Sequence, residues 1–201
     1  MAENQQARHQ RVMQKQKSRV DAAVERAQIE RGVLILLTGP GKGKSTSAFG
    51  MVMRALGYGY KVGIVQFIKG DILSGEELYL RAQHPDVDFY QMGTGFTWET
   101  QDRARDIAAA LQSWSHAERM LSDDSYHLVV LDELTYMLSF EYLDEKCVID
   151  VLSRRPPQQS VVITGRGGGK ALVELADTVS RIQDAKHAFQ AGIKARRGVD
   201  Y

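Results

Sequence analysis

From Gly32 onward the chain alternates two kinds of hydrophobic pattern. Short runs that are apolar at most positions, Val33–Leu37, Lys61–Ile68, Val87–Met92, Leu128–Leu131 and Val161–Thr164, read as strands, and a further strand fits near Thr178–Ile182. Between them the apolar positions recur every three or four residues, the signature of helices packed by one face. This predicts helices over Lys44 to about Leu56, Gly75–Gln83, Glu99 to about Leu121, Leu134–Phe140 and about Asp144–Arg154. Gly57 is expected to close the first in a left-handed cap, and Ile107, Leu111, Trp114 and Met120 to share the buried face of the long one. Pro156-Pro157 separates the last helix from the strand after it. Strands buried on both faces and alternating with helices predict an α/β domain, a mostly parallel sheet with helices on both faces.

Residues 1–31 follow neither pattern. They are rich in Gln and Arg and free of Gly and Pro, and Met13, Val20, Val24 and Ala27 make only a thin apolar stripe. Such a helical arm either docks on a larger surface or frays. The expected organisation is an arm over 1–31 and one domain over 32–201, without internal repeat or dividing linker.

Composition narrows the class further. At 201 residues, 43% hydrophobic and 25% charged, the chain is that of an ordinary globular protein. Lys and Arg number 26 against 25 Asp and Glu, which gives no global pull toward nucleic acid or an anionic membrane. Residues 1–32 carry seven basic and four acidic side chains, and 186–201 four and one, so mildly basic ends flank a slightly acidic body. The single cysteine, Cys147, has no partner for a bridge. Apolar runs are too short to span a bilayer, and the N-terminus lacks the apolar core of a secretory signal. A soluble cytoplasmic protein is expected.

The chemistry concentrates at strand ends. Gly39, Pro40, Gly41, Lys42, Gly43, Lys44, Ser45 and Thr46 follow Thr38 between a buried strand and a helix. Such a loop turns backbone N–H groups onto a phosphate at a helix N-terminus, Lys44 adds a point charge, and the Ser45 hydroxyl is a Mg²⁺ ligand. Thr38 stands where the general phosphate-loop pattern has Gly. Asp132 and Glu133 close the run Leu128–Leu131, where a carboxylate at a strand tip holds a metal or a metal-bound water; the division between the two stays open. Gly165-Arg166-Gly167 follows another strand and brings Arg166 to the same edge as a phosphate clasp. Arg54, on the helix after the phosphate loop, is a further candidate for the nucleotide. Phe96 and Trp98, in Gly93–Glu99 with Thr97 as a candidate helix cap, either tuck into the core or form a platform for a flat ligand. Residue by residue, this describes a Mg-nucleotide enzyme with an unknown acceptor.

Taken together, the blocks resemble one family over essentially the whole length, the P-loop ATP:cob(I)alamin (corrinoid) adenosyltransferases. The blocks are Thr38–Lys44, Val65-Gln66-Phe67-Ile68-Lys69-Gly70, Gly95-Phe96-Thr97-Trp98-Glu99-Thr100, Val130–Tyr136, Thr164–Gly167 and the ending Lys186–Phe189 with Gly192–Ala195. Thr38 is normal for that family; Pro40 stands where Asn is common and Ser45 where Thr is usual. The resemblance implies a RecA-like P-loop fold and transfer of the 5′-deoxyadenosyl group of ATP to Co(I) of a corrinoid, with release of triphosphate. It further implies Mg²⁺ or Mn²⁺, Lys44, Glu133 and Arg166 as catalytic groups, and Phe96 and Trp98 on the lower axial face of the corrin, keeping Co(II) four-coordinate. By the same resemblance the arm would fold over the corrinoid across a homodimer, and a flavodoxin or flavin-dependent reductase would supply the electron. Two rivals remain: γ-phosphoryl transfer by a P-loop ATPase or kinase, and a nucleic-acid module using the basic arm.

Overall fold

The computed structural model describes residues 2–68, 73–92 and 102–201. They fall into two units, one up to Glu30 and one from Arg31 onward. The first is a single helix, α1 (Ala2–Arg26), about 37 Å long at 1.5 Å per residue. Its stripe residues Met13, Val20 and Val24 are exposed, together with Val12.

The second unit holds β1 (Leu34–Thr38), α2 (Lys44–Gly57), β2 (Val62–Gln66), α3 (Gly75–Gln83) and β3 (Asp88–Gln91). It continues through α4 (Arg103–Ser122), β4 (Leu128–Asp132), α5 (Leu134–Ser139), α6 (Glu145–Ser153), β5 (Ser160–Thr164), α7 (Gly169–Leu175) and β6 (Thr178–Arg181). All six strands are parallel, in the order β3-β2-β4-β5-β1-β6. The phosphate-loop strand β1 and the acid-bearing strand β4 are thus one strand apart, with β5 between them, which is the RecA-like P-loop arrangement.

Alternation along each strand divides the core in two. Leu34, Leu36, Val129, Leu131, Val161 and Ile163 point to the face covered by α4–α7, where Trp114, Met120, Leu134, Val148 and Leu152 complete the cluster. Leu37, Leu128, Val130 and Val162 point to the other, against Ala48, Phe49 and Val52 of α2 and Leu80 of α3. The central strands β2 and β4 are buried at every position, whereas the edge strand β3 is half-buried and the edge strand β6 mostly exposed.

Several local expectations are corrected. Gly57 is the last residue of α2, and the left-handed turn falls two residues later at Gly59 (φ 74°), because Tyr58 N–H still donates to Ala55. Leu111 is exposed; the buried face of α4 runs through Asp106, Ala110, Trp114, Ala117 and Leu121. That helix begins at Arg103, capped by the Asp102 carboxylate accepting from Arg105 N–H, while Thr97 lies outside the described residues. Helix α7 was not foreseen, since it opens on the glycines that mark a loop. Among the described residues no helix is long and apolar enough to cross a membrane.

Candidate functional site

β1, β5 and β4 end side by side, and the loops leaving them meet at one edge of the sheet. The β1 loop carries Thr38–Gly43 into α2. Gly41 is required by close approach: a Cβ there would lie 2.8 Å from the backbone of Gln183. Its N–H donates to Ile182 O at 2.9 Å, and Lys42 N–H donates to the Asp184 carboxylate at 2.9 Å. Lys42 Nζ pairs with Asp200 at 2.9 Å. The stretch after β6 therefore braces the outer half of the loop. Beside it lies a cavity of about 370 Å³ lined by Lys42, Lys186, Lys194 and Arg196 together with Asp184 and Asp200. Pro40 and Thr46 are exposed and Ser45 half-buried.

Lys44, the first residue of α2, is 7% exposed, and its Nζ donates to Gly41 O at 2.8 Å. Burial lowers its pKa, opposed by the field of Glu133 and reinforced by that of Arg166. The Lys44 amine is thus partly dehydrated and within the fields of both groups.

The two carboxylates at the end of β4 have different surroundings. Asp132 accepts from Gln66 Nε2 at 2.9 Å and from the Thr164 hydroxyl at 2.6 Å, one bond to each oxygen. The same Thr164 hydroxyl accepts Glu133 N–H at 2.9 Å, which ties β4 to β5. Glu133 takes the left-handed conformation (φ 59°), and its buried Oε2 has no hydrogen-bond partner among the described residues. Burial and the neighbouring Asp132 push its pKa up to about 7, with Lys44 and Arg166 pulling the other way. An orphaned, buried carboxylate oxygen facing cations is what a metal or a cationic partner would complete. Among the described residues no three His, Cys, Asp or Glu side chains gather as a metal cage, so a metal here would take most of its ligands from phosphate and water.

The β5 loop carries Arg166, exposed, with its field felt at Lys44, Glu133 and Tyr136. Lys44, Asp132, Glu133 and Arg166 are thus brought to one edge, with Ser45 beside Lys44. Arg54 is not: it is exposed in the last turn of α2, ten residues and about 15 Å along the helix from Lys44. There it lines an apolar hollow of about 300 Å³ with Val33, Met51, Tyr58 and His127. Phe96 and Trp98 lie outside the described residues. Sequence reasoning assigned no role to Gln66, Thr164 or Asp184. For Gln66 a signal existed, as the one amide ending an otherwise apolar strand. For the other two there was none, because each acts on a residue far along the chain.

Similarity to known proteins covers this same body. Residues 30–201 match the family described as ATP:corrinoid adenosyltransferase BtuR/CobO/CobP. The chain is 53% identical over 194 residues to the corrinoid adenosyltransferase of Escherichia coli (strain K12), covering 96% of this chain and 98% of that protein. It is likewise 53% identical to corrinoid adenosyltransferase CobA of Salmonella typhimurium, at the same coverage. A corrinoid adenosyltransferase of Pseudomonas aeruginosa is 51% identical, over 96% of both chains. A phosphate loop opposite an acidic strand end, on a six-stranded parallel sheet and inside a match that takes in all six strands, leaves one assignment: the chain belongs to the ATP:corrinoid adenosyltransferase family.

Proposed function

We propose that the edge of the sheet holding Lys44, Glu133 and Arg166 binds the triphosphate of ATP and presents the ribose C5′ to Co(I) of a corrinoid. As a member of its family the protein is a corrinoid adenosyltransferase. In that reaction the cobalt electron pair forms the Co–C5′ bond, the C5′–O bond breaks, and triphosphate departs with the electrons of that bond. Cobalt is the substrate and the nucleophile, so the protein's task is orientation and charge neutralisation.

The convergence of the buried Lys44 amine and the half-buried Glu133 carboxyl, each within the other's field, with the exposed Arg166 carries the assignment. Lys44 Nζ can exchange the Gly41 carbonyl for a phosphate oxygen, and Arg166 can close on the same group from the β5 loop. Mg²⁺ or Mn²⁺, when bound, would neutralise further triphosphate charge. Glu133 and the Ser45 hydroxyl are the groups that fit it, while Asp132, with both oxygens engaged, holds Gln66 and Thr164 in register behind them. Phe96 and Trp98 are assigned to the lower face of the corrin, on the family resemblance. The same resemblance supports a cytoplasmic homodimer whose arm covers the corrinoid and which accepts electrons from a flavodoxin or flavin-dependent reductase.

The test is an anaerobic assay with ATP, Mg²⁺ and chemically reduced cob(I)alamin, following the corrin spectrum and the phosphate products. Light-sensitive adenosylcobalamin with intact triphosphate is expected. ADP and phosphate without cobalt alkylation would assign the site to phosphoryl transfer. Trp98→Ala is expected to slow the reaction from Co(II) more than from pre-reduced Co(I); equal losses would return Trp98 to the core.

A further inference from the structure

The ladder between β1 and β5 ends at the pair Leu37–Thr164, and no backbone pairing of that ladder reaches the residues that carry Arg166. Two other contacts replace it. Gly165 N–H donates to Leu37 O at 3.2 Å. One residue further along β1 and two further along the loop, the Thr38 hydroxyl donates to the Gly167 carbonyl and accepts Gly167 N–H at 3.1 Å. Arg166 is thus bracketed by two residues fastened to consecutive positions of β1. Gly167 has φ +109°, a conformation that side-chain residues rarely adopt, so its own backbone preference does not hold the loop in this shape. Thr38 is 4% exposed, and the described contacts of its hydroxyl are with Gly167 alone.

We propose that Thr38 is a positioning residue that clamps the Arg166 loop onto the phosphate loop, so that the two bind triphosphate as one preformed unit. The Gly of the general phosphate-loop pattern has no hydroxyl to do this, which gives the departure at position 38 a physical reason. The clamp acts through Arg166: it holds both backbone polar groups of the neighbouring residue, Gly167, and spares the loop the ordering cost at the moment of binding. This rests on the assignment of Lys44 and Arg166 to triphosphate.

The experiment uses the full chain as Thr38→Val, Thr38→Ser, Arg166→Ala, the Thr38→Val/Arg166→Ala double variant and Lys44→Ala. Readouts are kcat and KM for ATP with cob(I)alamin, binding of inorganic triphosphate by calorimetry, and the melting temperature. Thr38→Val is expected to weaken triphosphate binding and lower kcat/KM for ATP about tenfold or more, mainly through KM. Thr38→Ser, keeping the hydroxyl, should stay within about threefold of the parent. On the Arg166→Ala background Thr38→Val should cost less than about threefold, because the group it positions is gone. Wild-type behaviour of Thr38→Val, an undiminished loss on the Arg166→Ala background, or equal damage from Ser and Val would overturn the clamp. Should Thr38→Val not fold, Thr38→Ala takes its place in the same cycle. Normal turnover in both Lys44→Ala and Arg166→Ala would show instead that the triphosphate assignment had failed, and the clamp with it.

Discussion

At Glu133 two unfavourable features coincide: a left-handed backbone on a non-glycine residue, and a buried carboxyl beside Asp132. Its pKa of about 7 lies above the ordinary 4.5, so the folded protein keeps a proton that the unfolded chain gives up first. The stabilising difference is fully present below pH 4.5 and is lost as pH rises through 7. Glu133→Gln cannot ionise and is expected to raise the melting temperature of the ligand-free protein at pH 8 by several degrees, for a penalty of about 3 kcal/mol. The gap should close toward pH 4.5, as thermal melts across that range would record; equal melting at pH 8 would mean that the charge is already compensated. The same substitution should cut adenosyl transfer at least about a hundredfold, and Lys44→Ala as much, in steady-state assays at saturating corrinoid. Lys44, Ser45 and the Asp132-Glu133 pair were legible as a motif because their spacing in the chain is their chemistry. The different surroundings of the two carboxylates were not, since Gln66 and Thr164 reach Asp132 from strands far away in sequence.

Elements are joined in this fold by a few side chains at their ends. Asp177, before β6, accepts Leu34 N–H at 2.8 Å, both terminal nitrogens of Arg31 at 2.8 and 2.5 Å, and lies 3.7 Å from Arg155. Arg31 and the Leu34 N–H hold its carboxyl well below the usual range. A depressed carboxylate stabilises above its unfolded pKa and loses that contribution as pH falls through the folded one. Asp177→Asn should therefore lower the melting temperature at pH 7, and the difference should shrink below about pH 4. The strands and most helices were visible because hydrophobic period tells one from the other. Helix α3 coincides with its expected bounds, Gly75–Gln83, since Ser74 caps it in a way the sequence spells out. Strand order was not visible, because an apolar run carries no record of its neighbours. Leu111 was misplaced for a related reason: α4 buries Asp106 and Ser113, polar residues that a hydrophobic stripe passes over.

The whole molecule divides into a helix and a body whose two core clusters contain no residue before Leu34. Deleting residues 1–30 should leave the melting transition of the body almost unchanged, by calorimetry, while raising KM for the corrinoid; an unchanged KM would remove the arm from the substrate site. The sheet order also has a consequence for synthesis. β1 pairs only with β5 and β6, so the first strand made has no partner until the chain has grown by more than a hundred residues. At ribosomal rates of about 5–20 residues per second, Leu34–Leu37 spends roughly 6–24 s as an unpaired hydrophobic strand on the nascent chain. β2, β3 and β4 can pair with one another in that interval, but the phosphate loop has nothing to rest on. Nucleotide cannot act as a template for early folding here: a chain stalled before β5 would carry the phosphate loop, Asp132 and Glu133 but not Arg166, and would be a client for chaperones, with no site for ATP.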